Sequence, residues 1–272
     1  MHSLHTTDIT GKLIVLGTGT SVGVPMIGCG CPVCRSDNPK NKRTRCSILL
    51  GLPEGNLLVD TSPDMREQLL REEVGVVHAV LYTHEHADHL FGLDDLRLMQ
   101  FYLGGPLPLY CEEVVEQRVR QSFDYAFKPL PNQHAGATPK LEFRRIAPVN
   151  EGGQPFSVLG ASITAVRQRH GPNFRTLGFR FGDVAYCTDL DEMPAESKEQ
   201  LKGLRVLILD ALRLEPHSTH LSLSQAIELA EELGAEQTYF THMSHSLEQE
   251  KANAMLPAAV ELAYDGLRIA LV

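Results

Sequence analysis

A chain of 272 residues that is 43% hydrophobic, 22% charged and 6% aromatic has the composition of a globular protein long enough to bury a large core. Its formal net charge of −9 argues against broad electrostatic capture of long nucleic acid, which needs a basic face. A small anionic substrate stays admissible, because bound divalent cations reverse the field locally.

The polar start, Met1 to Thr10 with His2, His5 and Asp8, lacks the basic-then-apolar layout of a secretory signal. No stretch approaches ~18 uninterrupted apolar residues, so no membrane span is expected. The expected compartment is the cytoplasm, where the six cysteines stay reduced and a tight cysteine cluster points to metal before disulfide.

Lys12–Leu16 reads as a short strand followed by the loop Gly17-Thr-Gly-Thr-Ser21. Ser47–Leu50 and Asn56–Asp60 form a hairpin pattern around Pro53, Glu54 and Gly55. Pro63–Glu72 has a helical apolar spacing, with Pro63 admissible in a first turn. Ala79–Tyr82 is a buried strand running into Thr83, and Glu112–Phe127 reads as a helix, with Lys128–Thr138 a Pro- and Gly-containing connection. Leu141–Ile146, Ser157–Val158 and Ile163–Gln168 are strand patterns, and Gly178–Phe181 pairs with Val184–Cys187 across Gly182-Asp183. Val206–Asp210 and Gln237–Thr241 are buried strands flanking a helix, Ser224–Leu233, that Gly234 ends. Val260–Leu271 closes the chain with two short strands around Asp265-Gly266. Strands alternate with fewer helices and no repeat interrupts them, so a single layered α/β domain over residues 1–272 is expected.

The strongest local signal is His84-Glu-His-Ala-Asp-His89 directly after an apolar strand. Imidazole and carboxylate are ligands that zinc, iron and manganese accept. His84 and His86 leave the strand end two positions apart and can turn to one metal, while Asp88 and His89 can face a second. One segment cannot complete two coordination shells. His170, Asp189 and His242 each sit just beyond a strand pattern and are the natural suppliers of the rest.

This order, His-x-His-x-Asp-His and then His170, Asp189 and His242, resembles the metallo-β-lactamase superfamily from about Leu13 to Val272. The resemblance implies a four-layer αββα sandwich with two divalent catalytic metals at one edge of its two sheets. It implies that His84, His86 and His170 hold one metal, that Asp88, His89 and His242 hold the other, and that Asp189 bridges them. Asp60 is similar to the superfamily's supporting aspartate and is expected to orient a ligating histidine rather than bind metal.

A second constellation is Cys29-Gly-Cys-Pro-Val-Cys34, whose three thiolates can wrap one zinc if a fourth ligand completes the tetrahedron. Thr241-His-Met-Ser-His245 offers His245 for that role, which would make the loop at about 28–46 a structural zinc site tied to the catalytic centre. Cys46, Cys111 and Cys187 are isolated and expected to be small buried residues. The cysteine loop together with the closing T-H-x-S-H resembles the phosphodiesterase subfamily that opens phosphoribosyl cyclic phosphate in phosphonate breakdown. Arg45-Cys-Ser47 and Gly17 to Pro25 are also like it, and the resemblance implies a homodimer. The stretch from about Glu116 to Gly153 is longer than that subfamily's equivalent and could lie near the site.

Two divalent metals, manganese or zinc, would lower the pKa of a bridging water and offset charge on a phosphoryl oxygen. His220, in Ser218-Thr-His-Leu-Ser222, is the candidate general acid, as the related phosphodiesterases place a histidine at the matching position, and Asp88 is grouped with it as catalytic. Arg45, Arg169 and Arg175 could hold a phosphate, with solvated surface the default for each. The expected activity is hydrolysis of a small anionic phosphodiester. Alternatives are a tRNA 3′-end processing nuclease, disfavoured by the net acidity and the missing Gly/Lys-rich arm, and a non-catalytic carrier like the relative needed for pyrroloquinoline quinone biosynthesis. β-Lactamase and thioester hydrolase readings rank lower, since Asp88-His89 beside His242 suits phosphoesterases.

Overall fold

A computed structural model describes residues 4–128 and 134–272 of the chain. His2 and residues 129–133 of the expected connection lie outside the described residues.

Among the described residues, fourteen strands make two seven-stranded sheets. The first sheet contains β1 (Lys12–Gly17), β2 (Ser47–Leu52), β3 (Gly55–Val59), β4 (Ala79–Leu81), β5 (Leu107–Cys111), β6 (Leu141–Arg145) and the last strand. The second contains β7 (Phe156–Val158), β8 (Ala161–His170), β9 (Phe174–Phe181), β10 (Val184–Cys187), β11 (Val206–Asp210), β12 (Gln237–Thr241) and β13 (Val260–Leu262). β14 (Leu267–Ala270) crosses back to pair antiparallel with β1.

Both sheets follow one pattern. The pairs β14-β1, β1-β2 and β2-β3 are antiparallel and those from β3 to β6 parallel. In the same way the pairs from β7 to β10 are antiparallel and those from β10 to β13 parallel. Parallel neighbours cannot be joined by a tight turn, so each parallel step carries a helical crossover. α1 (Met65–Arg71), α2 (Ala87–Leu90), α3 (Met99–Tyr102) and α4 (Glu113–Ser122) serve the first sheet. α5 (Ala195–Gln200), α6 (Leu223–Leu233) and α7 (Gln249–Asn253) serve the second.

Strand alternation sorts the side chains into layers. Leu13 and Val15 enter a central core with Ile163, Leu177 and Tyr186 of the opposite sheet, whereas Ile14 and Leu16 face outward with Met65, Leu90 and Val115. Val166, Leu207 and Leu209 meet Leu201, Leu223 and Leu229 on the far side. Helix, sheet, sheet and helix therefore stack as expected. No helix among the described residues is long and apolar enough to cross a membrane.

Two readings change. The expected helix Glu112–Phe127 stops at Ser122, because Phe123 leaves helical backbone (φ −116, ψ 41) and buries its ring, and a 3₁₀ turn follows at Asp124–Ala126. The two closing strands form as expected and go to different sheets, β13 extending the second and β14 the first. β5 is an additional strand, which Pro108 obscures in the sequence.

The loop after β1 explains its glycines by close approach. A Cβ at Gly17 would lie 2.0 Å from the Arg45 carbonyl oxygen, and one at Gly19 would lie 2.6 Å from that of Arg43. Gly17→Ala is therefore expected to cost about 2 kcal/mol and lower Tm by roughly 4 °C. Gly30→Ala, with nothing within 4 Å, should stay within about 0.5 kcal/mol of wild type. A thermal melt of Gly17→Ala that overlays wild type would remove the close approach as a constraint.

Candidate active site

The candidate residues gather at one edge of the sandwich, at carboxyl ends of strands. Asp60 follows β3, the segment Thr83–His89 follows β4, His170 ends β8, Asp189 lies just past β10, Asp210 ends β11 and His242 follows β12. A parallel strand and its crossover helix leave this end open for ligands. Asp60, Asp189 and His242 adopt left-handed backbone, with φ of 64, 57 and 58. Such φ values are unfavourable for residues with a Cβ and are held only where surrounding structure imposes them. Here the turn swings each side chain off its strand and across the sheet edge.

Overlapping donor groups result, two of which include His220: one with His170 and Asp189, the other with Asp210 and His242. Ligand atoms of His84, His86 and His170 lie within 4.8 Å of one another, as do those of Asp88, His89, Asp189 and His242. Most imidazoles are held from behind. Asp60 Oδ2 accepts from His89 Nδ1 at 2.7 Å, and Asp60 is itself fixed by the Thr83 amide (2.9 Å) and hydroxyl (2.8 Å). His170 Nδ1 donates to the Thr219 carbonyl oxygen at 2.7 Å, and His84 Nδ1 lies 3.0 Å from the Thr83 hydroxyl. With Nδ1 of His89 and His170 carrying the proton, Nε2 of each ring is left with a lone pair.

The buried Nε2 atoms of His84, His89 and His242 have no hydrogen-bond partner among the described residues. His89 Nε2 is 3.3 Å from both Asp88 Oδ2 and Asp189 Oδ2, and His242 Nε2 is 3.3 Å from Asp189 Oδ1. A lone pair facing a carboxylate oxygen in a buried site is repulsive unless a positive charge sits between them. Burial opposes a charged His89 ring, yet Asp189, Asp88 and Asp60 overcome it and push its pKa well above the ordinary value. Burial likewise opposes the Asp189 anion, and His242 and His89 hold it well below the usual carboxylate range. The donor set fits divalent cations, which supply positive charge and accept these lone pairs together.

Beside the donors, Asp210 Oδ2 accepts from His220 Nδ1 at 2.9 Å, and Asp210 Oδ1 is 3.6 Å from His242 Nδ1. Burial works against a charged His220, and Asp210, with Asp189 and Asp88 beyond, offsets this and raises its pKa to about 9. An open cavity of about 280 Å³ is lined by Ser21, His86, Asp88, His170, Phe174, Asp189, His217, Thr219, His220 and His242. Sequence reasoning missed Asp210, His217, Phe174 and Ser21. Asp210 has a signal, an aspartate ending a buried strand as Asp60 does, but the others have none.

The arginines that could hold a phosphate are engaged elsewhere. Arg45 pairs with Asp64 at 2.6 Å and Arg169 with Asp191 at 2.7 Å, while Arg175 is exposed beside Glu151. None lines the cavity. The long stretch from Glu116 to Gly153 does not line it either among the described residues: it supplies edge strand β6 and a turn whose Glu151 binds Arg167.

Cys29, Cys31, Cys34 and His245 form a separate donor group. His245 Nδ1 lies 3.2 Å from Cys29 Sγ and 3.3 Å from Cys31 Sγ. The Cys34 amide donating to its sulfur, with His245 and Cys29 adding to it against partial burial, brings the Cys31 thiol down to about 6, whereas burial pushes Cys34 up to about 11. Cys46, Cys111 and Cys187 are buried and apart from both groups, as expected.

Asp60→Asn should weaken metal binding at the His89 group by about 10–100-fold, read by competition with a chelator, and leave the cysteine group loaded. Undiminished affinity would deny Asp60 its orienting role. Cys31→Ala should lose one zinc per chain and melt earlier while the histidine–aspartate groups still load. Full zinc content in that variant would sink the cysteine site.

Residues 55–243 match the family described as Beta-lactamase superfamily domain. The fold is similar to the crystal structure of a new diphosphatase from the PhnP family, at 42% identity and a TM-score of 0.86, covering 95% of this chain and 96% of that one. An octanoyltransferase of Porphyromonas gingivalis is 38% identical over 260 residues, 94% of this chain and 51% of its own length. The chain thus spans about half of that longer relative. Coenzyme PQQ synthesis protein B of Rhodopseudomonas palustris is 32% identical over 230 residues, 73% of this chain and 72% of that protein. With its donor-lined sheet edge and this match across most of its length, the chain belongs to the metallo-β-lactamase superfamily.

Proposed function

We propose that this chain is a dinuclear phosphodiesterase acting on a small cyclic or nucleotide-like phosphate ester. The observation that carries the reading is the pairing of two donor groups with His220, which Asp210 holds beside them and which lines the same cavity of about 280 Å³. His84, His86 and His170 would hold one cation and Asp88, His89 and His242 the other, with Asp189 between them. Two divalent cations there supply Lewis acidity to a phosphoryl group and to the attacking water.

The chain's own residues do the rest. Asp60 and the Thr219 carbonyl fix the tautomers of His89 and His170. Asp210 accepts from His220 Nδ1 and raises the ring's pKa to about 9, so His220, which lines the cavity, is an imidazolium that carries a second proton on Nε2. His220 Nε2 then gives its proton to the departing alkoxide, and Asp210 stabilises the ring before transfer. Leaving-group protonation is what a phosphodiester with a poor alkoxide leaving group demands. The resemblance to the PhnP-family diphosphatase supports the same substrate class. Cys29, Cys31, Cys34 and His245 would hold a third, structural zinc.

A second reading, a binding relative without turnover, draws on the resemblance to coenzyme PQQ synthesis protein B. The Asp210–His220 unit, which a carrier does not need, weighs against it.

Chelated protein reloaded with manganese or zinc should hydrolyse bis(p-nitrophenyl) phosphate with about three metals per chain, two catalytic and one structural. No turnover with the metals in place would sink the phosphodiesterase reading. His220→Ala should keep its metals and lose about 10²–10⁴ in turnover of an alkyl phosphodiester, whose alkoxide needs the proton, and unchanged turnover of that substrate would take His220 out of the mechanism.

A further inference from the structure

A phosphodiester entering this cavity brings anionic oxygens that cations alone do not orient. Among the described residues no lysine or arginine lines the cavity, since the nearby arginines face carboxylates. Orientation must come from neutral donors. The lining side chains outside the proposed metal shells and the proton donor His220 are Ser21, Phe174, His217 and Thr219. Phe174 has no donor. The Thr219 hydroxyl lies 3.1 Å from His217 Nδ1 and is engaged there. Ser21 and His217 remain, and Ser21 is exposed on the loop after β1 whereas His217 is half-buried.

The His217 tautomer follows from its backbone. The Thr219 amide lies 3.3 Å from His217 Nδ1, and a backbone N–H can only donate. Nδ1 is therefore the acceptor, the ring is neutral, and its single proton sits on Nε2, away from Thr219. The ring stands 5.4 Å from that of His220, centroid to centroid, and belongs to none of the metal-donor groups. A fixed N–H beside the acid, with no structural partner on that atom among the hydrogen bonds of the described residues, is a preorganised donor.

Building on the phosphodiesterase reading, we propose that His217 is a substrate-positioning residue whose Nε2–H donates to an anionic phosphoryl oxygen in the cavity. It acts beside His220, which handles the leaving group, and it distinguishes phosphate esters from uncharged esters.

The test uses full-length, manganese-loaded protein and inorganic phosphate as the probe. Calorimetry should show phosphate binding weakened roughly tenfold in His217→Ala, with metal content per chain unchanged. His217→Gln should recover most of the affinity, because its amide N–H₂ can reach the place of Nε2–H. The KM for bis(p-nitrophenyl) phosphate should rise by the same factor while kcat stays within about threefold. Nitrogen-15 NMR should find His217 Nδ1 unprotonated. Equal phosphate affinity in His217→Ala and wild type overturns the proposal. So does loss of metal in that variant, failure of glutamine to restore binding, or a wild-type protein that binds no phosphate. Phosphate binding that depends on His217 in a protein that hydrolyses no diester would keep this inference and sink the phosphodiesterase reading instead.

Discussion

Everything at the open edge of this sandwich answers one constraint: buried imidazole lone pairs face buried carboxylates, and only positive charge between them makes the arrangement tolerable. His89 Nε2 at 3.3 Å from two carboxylates and His242 Nε2 at 3.3 Å from Asp189 are the sharpest instances. The fold commits backbone energy to that arrangement. Asp60, Asp189 and His242 take left-handed φ values, each on a turn that directly follows or closely trails a strand. Six strand ends supply these groups, so the flanking cores act as the rigid frame that keeps mutually repelling groups in place.

The two donor centres share a short piece of chain. Thr241–His245 carries His242 into the histidine–aspartate centre and His245 into the cysteine group. The segment is gripped on both sides: Gly19 bridges Met243 and Arg45, Met243 N donates to the Thr18 carbonyl, and Arg43 Nη1 donates to the Ser244 carbonyl at 3.0 Å. Arg43 is 1% exposed and has no carboxylate in contact among the described residues, and burial brings its pKa down to about 10. A buried guanidinium is costly to place, and its use here to fasten the Ser244 carbonyl and the Gln249 side chain indicates how closely the turn between His242 and His245 must be held. The close approach at Gly17 and Gly19 serves the same junction, since any Cβ there would push the Arg43–Arg45 segment away.

Much of this was legible in the sequence because the signals are local. The six-residue run His84–His89 and the run Cys29–Cys34 declare donor chemistry by density alone, and strand alternation such as Leu13/Ile14/Val15/Leu16 declares two-faced sheets. Single residues after strands, His170, Asp189 and His242, were readable because strand ends are where sheets present ligands. Other features depend on tertiary placement. Nothing near Val260–Ala270 reveals that β13 and β14 join different sheets. The arginines chosen by proximity in sequence turn to carboxylates that only the folded chain brings near, as Arg169 does to Asp191. The stretch 116–153 looked available to the site by length, yet its described part is spent on an edge strand and on the Arg167–Glu151 contact.

The site also uses one unit twice to opposite ends. Asp60 and Asp210 are both fully buried aspartates at strand ends, and each accepts from the Nδ1 of a histidine, His89 and His220. The hydrogen bond fixes the same tautomer question in each pair, but the surroundings of Nε2 differ. His89 Nε2 lies 3.3 Å from both Asp88 and Asp189 and is buried, the setting of the cation ligand proposed above. His220 lines the cavity, where its raised pKa keeps a second proton on the ring. In the proposed roles, which of two chemically similar pairs serves as ligand and which as acid is set by what surrounds the ring. That distinction belongs to the convergence of β10, β11 and β12 rather than to the identity of either residue.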